Sequence, residues 1–425
     1  MVRDTNRHFK FDWITIFLFF LLVGFGWLNI LSASHVGTDI NYFDLSQPYG
    51  KQLVFIFLNL ILIVLVLAID AKFYERFASI IYIISMLSLV GLFIFGKNVN
   101  GATSWYGIGS FTIQPSEFAK SAAALAVAKH LSDLNTNIKT FKDQLRTFAI
   151  IGIPAVLVLL QNDTGSTIVY GAFIYVLFRE GLPKAYLITA FSAIILAILS
   201  LKFGFIAASM VALVVVVAMH YFRKKPFRIY QSVFIVIAAI AISFVVKFFY
   251  QSILQPHQQD RISLWLRLEK DPAKLEAMKK TFAYNLNESE KAISSGGFTG
   301  KGFLEGTRTT GKFVPEQHTD YIFSTVGEEW GFIGCAFVVI TFVLLLLRIL
   351  HLAELQKSQF SRVYGYSVAA IIFIHFFVNI GMVMGLIPTI GIPLPMFSYG
   401  GSGLWAFTIL LFIFIKLDSN RINEW

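Results

Sequence analysis

The chain has 425 residues, 56% of them apolar and only 14% charged, with a formal net charge of +10 and a mean hydropathy of +0.69. A soluble protein of this length carries roughly a quarter of its residues as charges, and a membrane barrel would alternate in short strands, so composition excludes both. At about 20 residues per helical crossing, about 238 apolar residues (56% of 425) suffice for about a dozen spans, which makes this an all-α polytopic membrane protein.

In chain order, Arg3, Arg7 and Lys10 precede an apolar run from Trp13 that is too long for a signal-peptide core of about 7–15 residues. It reads as the first transmembrane helix. Twelve candidate spans follow from the apolar runs: Trp13–Ser34, Gln52–Ile69, Phe77–Gly96, Pro115–Ala128, Thr147–Leu160, Gly165–Phe178, Ala185–Leu201, Gly204–His220, Ile229–Tyr250, Tyr321–Leu347, Val363–Leu386 and Ser402–Ile415. The fourth to sixth are short and interrupted by Pro154 and polar residues, so they are expected inside the bundle, where neighbours satisfy their backbone. Only Lys202 and Phe203 separate the seventh from the eighth.

With the N-terminus in the cytoplasm, the inner ends of these spans hold 20 Lys and Arg, whereas the short outer loops hold only Lys51, Lys97 and Lys202. Basic residues concentrate on the cytoplasmic side of membrane proteins, so the asymmetry fixes the orientation. One connection is long. Residues Gln251 to His318 form a 68-residue outer loop within what reads as a single domain over 1–425. Long loops translocate regardless of charge, and its Trp265, Phe282, Tyr284, Phe298, Phe303 and Phe313 argue against disorder.

Cys335 is the lone cysteine, which excludes internal disulfides and multi-cysteine metal sites. No nucleotide-type phosphate loop, zinc spacing or Ser-His-Asp signature appears, and no basic cluster accompanies a nucleic-acid reader fold. His375, within an apolar helix, reads as a satisfied core residue rather than a ligand.

Four segments are more polar or richer in Gly and Pro than connection requires. In Gln114–Lys120, Pro115 opens a helix and Glu117 lies one turn from Lys120; this is either a packing ion pair or an intramembrane pair lining a cavity. Gln161–Thr167 reads either as an N-cap and tight turn or as part of a site containing Asp163. The long loop carries Arg261, Asp271-Pro272, the Gly-rich stretch Ser294–Gly302, and Pro315–Asp320. Asp271-Pro272 alone reads as a helix start, Asp capping and Pro at the first position, and the Gly-rich stretch is either an anion nest or a flexible loop. Gly391–Gly403 reads as a structured re-entrant loop.

QPSEFAK, QNDTGST, GKGFLEGT, PEQHTDYIFSTVGEEWGFIG and GIPLPMFSYGGSG, in this order, resemble the RodA/FtsW (SEDS) family of peptidoglycan glycosyltransferases, with Gly300-Lys301-Gly302 and Gly306-Thr307 closer to RodA. The resemblance covers nearly the whole chain. It implies a SEDS-type bundle of ten family spans plus two extra ones, placed within Ala185–His220, and one large extracytoplasmic loop. It further implies an inverting polymerase of lipid II on the outer face of the bacterial cytoplasmic membrane, acting in cell elongation and shape. A class B penicillin-binding protein is the implied partner, no nucleic acid is expected, and no cofactor is implied beyond an optional divalent cation.

The family's essential aspartate lies in an Asp-Pro pair ten residues after an Arg, a spacing that Arg261 and Asp271 share. Asp271 is therefore the candidate catalytic base. Arg261, Lys301, Glu117, Lys120, Asp163, His318 and Asp320 are the candidate substrate-binding residues, and no metal ligands are assigned. The chain departs from the family after Pro272, where Ala273-Lys274 and an insertion replace the usual Gly. Rival readings are a lipid II flippase or other transporter using Glu117, Lys120 and Asp163, and a scaffold that only positions a partner synthase.

Overall fold

The computed structural model describes residues 11–35, 41–99, 101–108, 111–222, 229–252, 254, 256–269, 271 and 284–421. Among them nine helices are long and apolar enough to cross a membrane, and the shorter apolar helix Phe205–Ala218 accompanies them. All twelve apolar runs are helical. The protein is a multi-pass, helical membrane protein.

The chain divides into two compact units, 1–182 with 288–386 and 390–425, and 183–287 with 387–389. In the first unit, α1 (Trp13–Ser34) packs on α2 (Pro48–Ala68) and α14 (Ile322–Glu354), and α16 (Gly401–Asn420) packs on α2. Asp12 caps α1 by accepting from Thr15 N at 2.9 Å and also accepts from Arg348 Nε on α14 at 3.1 Å. Burial opposes its ionisation, yet these donors hold its carboxyl below the usual value.

At the centre is α4 (Pro115–Leu131), packed against α3 (Ala71–Phe95), α5 (Phe141–Leu160), α15 (Gln359–Val383) and α16. Its sequence explains the enclosure. Pro115 opens the helix and the alanines that follow are the best helix formers. Their small side chains let neighbouring helices approach closely. The fifth span is different: over its apolar run α5 buries one stripe through Thr147, Ile151, Pro154 and Val158 and is half-buried or exposed between them, so only part of the expected interior placement holds. It also begins six residues earlier than its apolar run, because the Thr140 hydroxyl caps Asp143 N. The sixth run breaks into α6 (Thr164–Val169), a 3-10 turn (Tyr170–Ala172) and α7 (Phe173–Arg179).

A small antiparallel sheet, absent from the sequence reading, stands between α3 and α4. Its strands are β1 (Lys97–Val99), β2 (Ala102–Ile108) and β3 (Phe111–Ile113), in that order.

The Gly-rich stretch after α12 (Tyr284–Gly296) is neither a nest nor a flexible loop. Helix α14 is interrupted at Gly331, whose φ of 61° and ψ of −156° leave backbone groups on either side without helical partners. The stretch supplies them. Lys301 N and Gly302 N donate to the carbonyls of Glu328 and Glu329 at 3.1 and 3.0 Å, while Phe332 N and Ile333 N donate to Gly297 and Phe298 at 3.0 and 3.2 Å. A Cβ at Gly331 would lie 2.8 Å from the Phe298 carbonyl oxygen, so the approach requires glycine.

The second unit contains α8 (Lys184–Phe203), α9 (Phe205–Phe222) and α10 (Ile229–Ser252), which pack on one another, and α11 (Pro256–Leu266). Gly204, at φ 85°, turns the chain between α8 and α9. The helix start expected at Pro272 and the Tyr284-preceding insertion lie outside the described residues.

Candidate active site

A cavity of about 530 Å³ opens in the first unit, walled by Trp105, Phe55, Glu117, Tyr399, Phe407 and neighbouring residues. Aromatic walls with a few placed polar groups are the usual make-up of a small-ligand site. Three of the motif segments line it, and a fourth, Gln161–Thr167, is bonded to the first of them.

The first turn of α4 provides the charge. Lys120 Nζ lies 2.7 Å from Glu117 Oε1, both side chains being buried. One turn apart on a helix, the two share a face. At this depth neither charge could remain without the other, since breaking a buried pair costs about 3–5 kcal/mol. The second α4 partner is unexpected: His375 Nε2, on α15, lies 2.9 Å from Lys120 Nζ.

The Gln161–Thr167 segment joins through Asp163. Its Oδ1 caps α6 by accepting from Ser166 N at 2.9 Å, and its Oδ2 accepts from Gln114 Nε2 at 2.9 Å and Ser116 Oγ at 3.2 Å. The cap and the site readings thus describe the same carboxylate, one oxygen serving each.

The loop 391–400 closes the cavity and is stitched to Pro315–Asp320. Tyr399 N donates to the His318 carbonyl at 2.9 Å, Ser398 Oγ to the Thr319 carbonyl at 2.7 Å, and Asn379 Nδ2 to the carbonyls of Asp320 and Ile392 at 2.8 and 2.7 Å. The His318 and Tyr399 rings meet at 5.3 Å. Burial holds the His318 imidazole below its ordinary 6.5; Glu316 opposes this and Lys312 reinforces it. A Cβ at Gly391 would lie 3.2 Å from Asp320 Oδ2, which places that carboxylate against the loop.

Glu117, Lys120, Asp163, His318 and Asp320 are therefore gathered by segments that line or brace one cavity. Lys301 is held elsewhere, on Glu328 Oε1 at 2.6 Å and Thr307 Oγ1 at 2.8 Å. Arg261 and Asp271 belong to the second unit. Arg261 Nη1 donates to the Thr389 carbonyl at 3.4 Å, and Asp271 is exposed, its amide donating to Glu269 Oε1 at 3.0 Å. Among the described residues no group of three His, Cys, Asp or Glu could hold a metal ion.

His375 is, as expected, a buried residue with both ring nitrogens partnered, but neither it nor Asn379 nor Ser402 was assigned to the site from sequence. His375 and Asn379 are four apart on an otherwise apolar helix, a spacing that puts both on one face. Ser402 Oγ accepts from Gln114 N and donates to the Thr112 carbonyl, both at 3.2 Å, which fixes the start of α4 against α16.

The family model described as a cell cycle protein, FtsW/RodA/SpoVE, matches residues 12–232 and 206–423. The chain belongs to this family. It is 29% identical over 446 residues to the peptidoglycan glycosyltransferase RodA of Treponema pallidum (strain Nichols), covering 97% of this chain and 98% of that one. It is 30% identical over 380 residues to the peptidoglycan glycosyltransferase MrdB of Escherichia coli (strain K12), covering 89% and 85%. In fold it is similar to a solved chain described under "Structural coordination of polymerization and crosslinking by a peptidoglycan synthase complex", with a TM-score of 0.72 at 24% identity over 98% of this chain and 99% of that one.

Proposed function

We propose that the protein is a peptidoglycan glycosyltransferase of the RodA type, which polymerises lipid II into β-1,4 glycan strands on the outer face of the bacterial cytoplasmic membrane. What supports this reading is the convergence of the Gln114–Lys120, Thr319 and Pro393–Gly403 segments on one cavity, the first of them braced by Asp163, in a chain that matches its relatives nearly end to end.

Lipid II carries an α-linked diphosphate, whereas the product is β-linked, so the reaction is a single inverting displacement. The acceptor sugar's 4-hydroxyl attacks the anomeric carbon, the bond to the diphosphate breaks, and a base takes the hydroxyl proton. Asp271 is the proposed base: an exposed carboxylate in the long outer loop, ten residues after Arg261. The cavity's one carboxylate, Glu117, and its aromatic walls suit the hydroxyl groups and faces of a sugar. The apolar runs support twelve crossings, and the Lys and Arg asymmetry supports a cytoplasmic N-terminus. The proposed partner is a class B penicillin-binding protein, in keeping with the solved relative described as part of a synthase complex that coordinates polymerization and crosslinking.

Purified protein incubated with lipid II, alone and with such a partner, tests the proposal. Glycan strands are expected. Transbilayer movement of lipid II without polymer would identify a flippase, and polymer formed only by an added synthase would identify a scaffold. Thiol labelling of cysteines placed at Ser295 and Thr309, in a Cys335→Ala background, tests orientation. An impermeant reagent is expected to reach at least Ser295 in whole cells, Thr309 being buried.

A further inference from the structure

Two features of the charge cluster remain once Glu117 and Lys120 are paired. The first is His375. It is buried, its ring meets Phe407 edge-on at 4.9 Å, its Nε2 faces the Lys120 ammonium at 2.9 Å and its Nδ1 faces the Pro393 carbonyl at 3.4 Å. An ammonium donates hydrogen bonds and never accepts them. The ring nitrogen facing it must therefore carry a lone pair, and the proton sits on Nδ1, directed at Pro393. These two partners assign one neutral tautomer.

The second feature is Glu117 itself. Its Oε1 accepts from Lys120, but its Oε2 is buried with no hydrogen-bond partner, in a residue that lines the cavity. A carboxylate oxygen has room for two donors, and a buried one left without any is costly. The side chain is 4% exposed, so bulk water does not serve it.

We propose that His375 is a positioning residue for the cavity, acting through Lys120 to keep Glu117 Oε2 unpartnered, as the acceptor for a hydroxyl or amide N–H of the bound sugar. By taking one of the three ammonium N–H groups, the imidazole leaves Lys120 bonded to Glu117 through Oε1 alone. Without that acceptor, the freed N–H can turn to Glu117 Oε2, the second oxygen of the carboxylate that Lys120 already pairs with. Lys120 would then cover both carboxylate oxygens and close the acceptor. The link to Pro393, which also lines the cavity, ties the imidazole's orientation to the loop that covers the site. This deepens the reading under Proposed function and rests on it for the sugar as ligand.

The test compares His375→Phe, which keeps an aromatic ring against Phe407 but removes the acceptor, with His375→Gln, whose amide oxygen can still accept from Lys120. Full-length protein is assayed for lipid II affinity in nanodiscs and for initial rates of polymerisation. An interaction made equally in ground and transition states changes KM and not kcat, so His375→Phe is expected to raise Kd and KM about tenfold with kcat changed less than about twofold. His375→Gln is expected to recover most of that loss. In a Glu117→Gln background, His375→Phe is expected to add nothing, because residues acting through one contact are not additive. Full additivity there, or equal losses in the Phe and Gln variants with a lowered thermal midpoint, would show that His375 only fills space. Wild-type protein that binds lipid II without polymerising it would defeat the glycosyltransferase reading instead, leaving the affinity comparison to decide the role of His375.

Discussion

The Lys301 ammonium rests 2.6 Å from Glu328 Oε1, on a carboxylate that is wholly buried. Glu328 also accepts from Arg308 N at 2.9 Å and from Thr309 N and Oγ1, each at 2.8 Å. This carboxylate fastens the segment after the Gly-rich stretch to α14, beside the break at Gly331, and Lys301 is one of its donors.

The two partners are expected to differ in cost. Lys301 is about a quarter exposed, so Lys301→Met leaves Glu328 with its other donors, at about 1 kcal/mol. Glu328→Ala strands a cation and two backbone N–H groups, at about 3 kcal/mol. Thermal midpoints in detergent check the order. A Lys301→Met protein with an unchanged midpoint and a severe loss of lipid II affinity would return Lys301 to the substrate.

Glu117 and Lys120 are expected to behave as one unit. Glu117→Ala and Lys120→Ala each leave a charge unpaired at membrane depth, whereas exchanging the two by Glu117→Lys with Lys120→Glu keeps the pair. Each single variant should lose most polymerase activity, and the exchange should recover part of it. Recovery will be partial because His375 needs the cation at position 120. Strictly additive losses would show that the pair does not act jointly.

His318 should make stability depend on pH. In the unfolded chain its imidazole takes a proton near 6.5, but burial in the folded protein delays this to lower pH. Between the two values the unfolded state binds more protons, so stability falls as pH drops below about 6.5. His318→Gln is expected to flatten that part of the profile, read as the thermal midpoint from about pH 7.5 to about pH 5.5. An identical slope in the variant would assign the dependence to other groups.

The helices were legible because the apolar runs announce themselves, and Pro115 marked the start of α4. The sheet was not, since strands of three to seven residues are too short to show a period. Its local signals were the Asn100-Gly101 and Gly109-Ser110 pairs, both hairpin sequences. Composition identified the Gly-rich stretch but could not say that its partner is a helix break at Gly331, thirty residues on. The site was half visible. The Glu117–Lys120 spacing is local, whereas His375 joins it from 255 positions away, a pairing that only packing creates.

Asp271 carries the proposed proton transfer. Asn fills the same space and caps a helix about as well as Asp, yet it cannot take a proton from the acceptor hydroxyl. The decisive measurement is the rate of glycan synthesis from lipid II by purified wild-type and Asp271→Asn proteins, with expression and thermal midpoint as controls. If Asp271 is the base, the rate is expected to fall by about 10²–10⁴ with the midpoint unchanged. Near-normal glycan synthesis by well-folded Asp271→Asn protein would contradict the assignment.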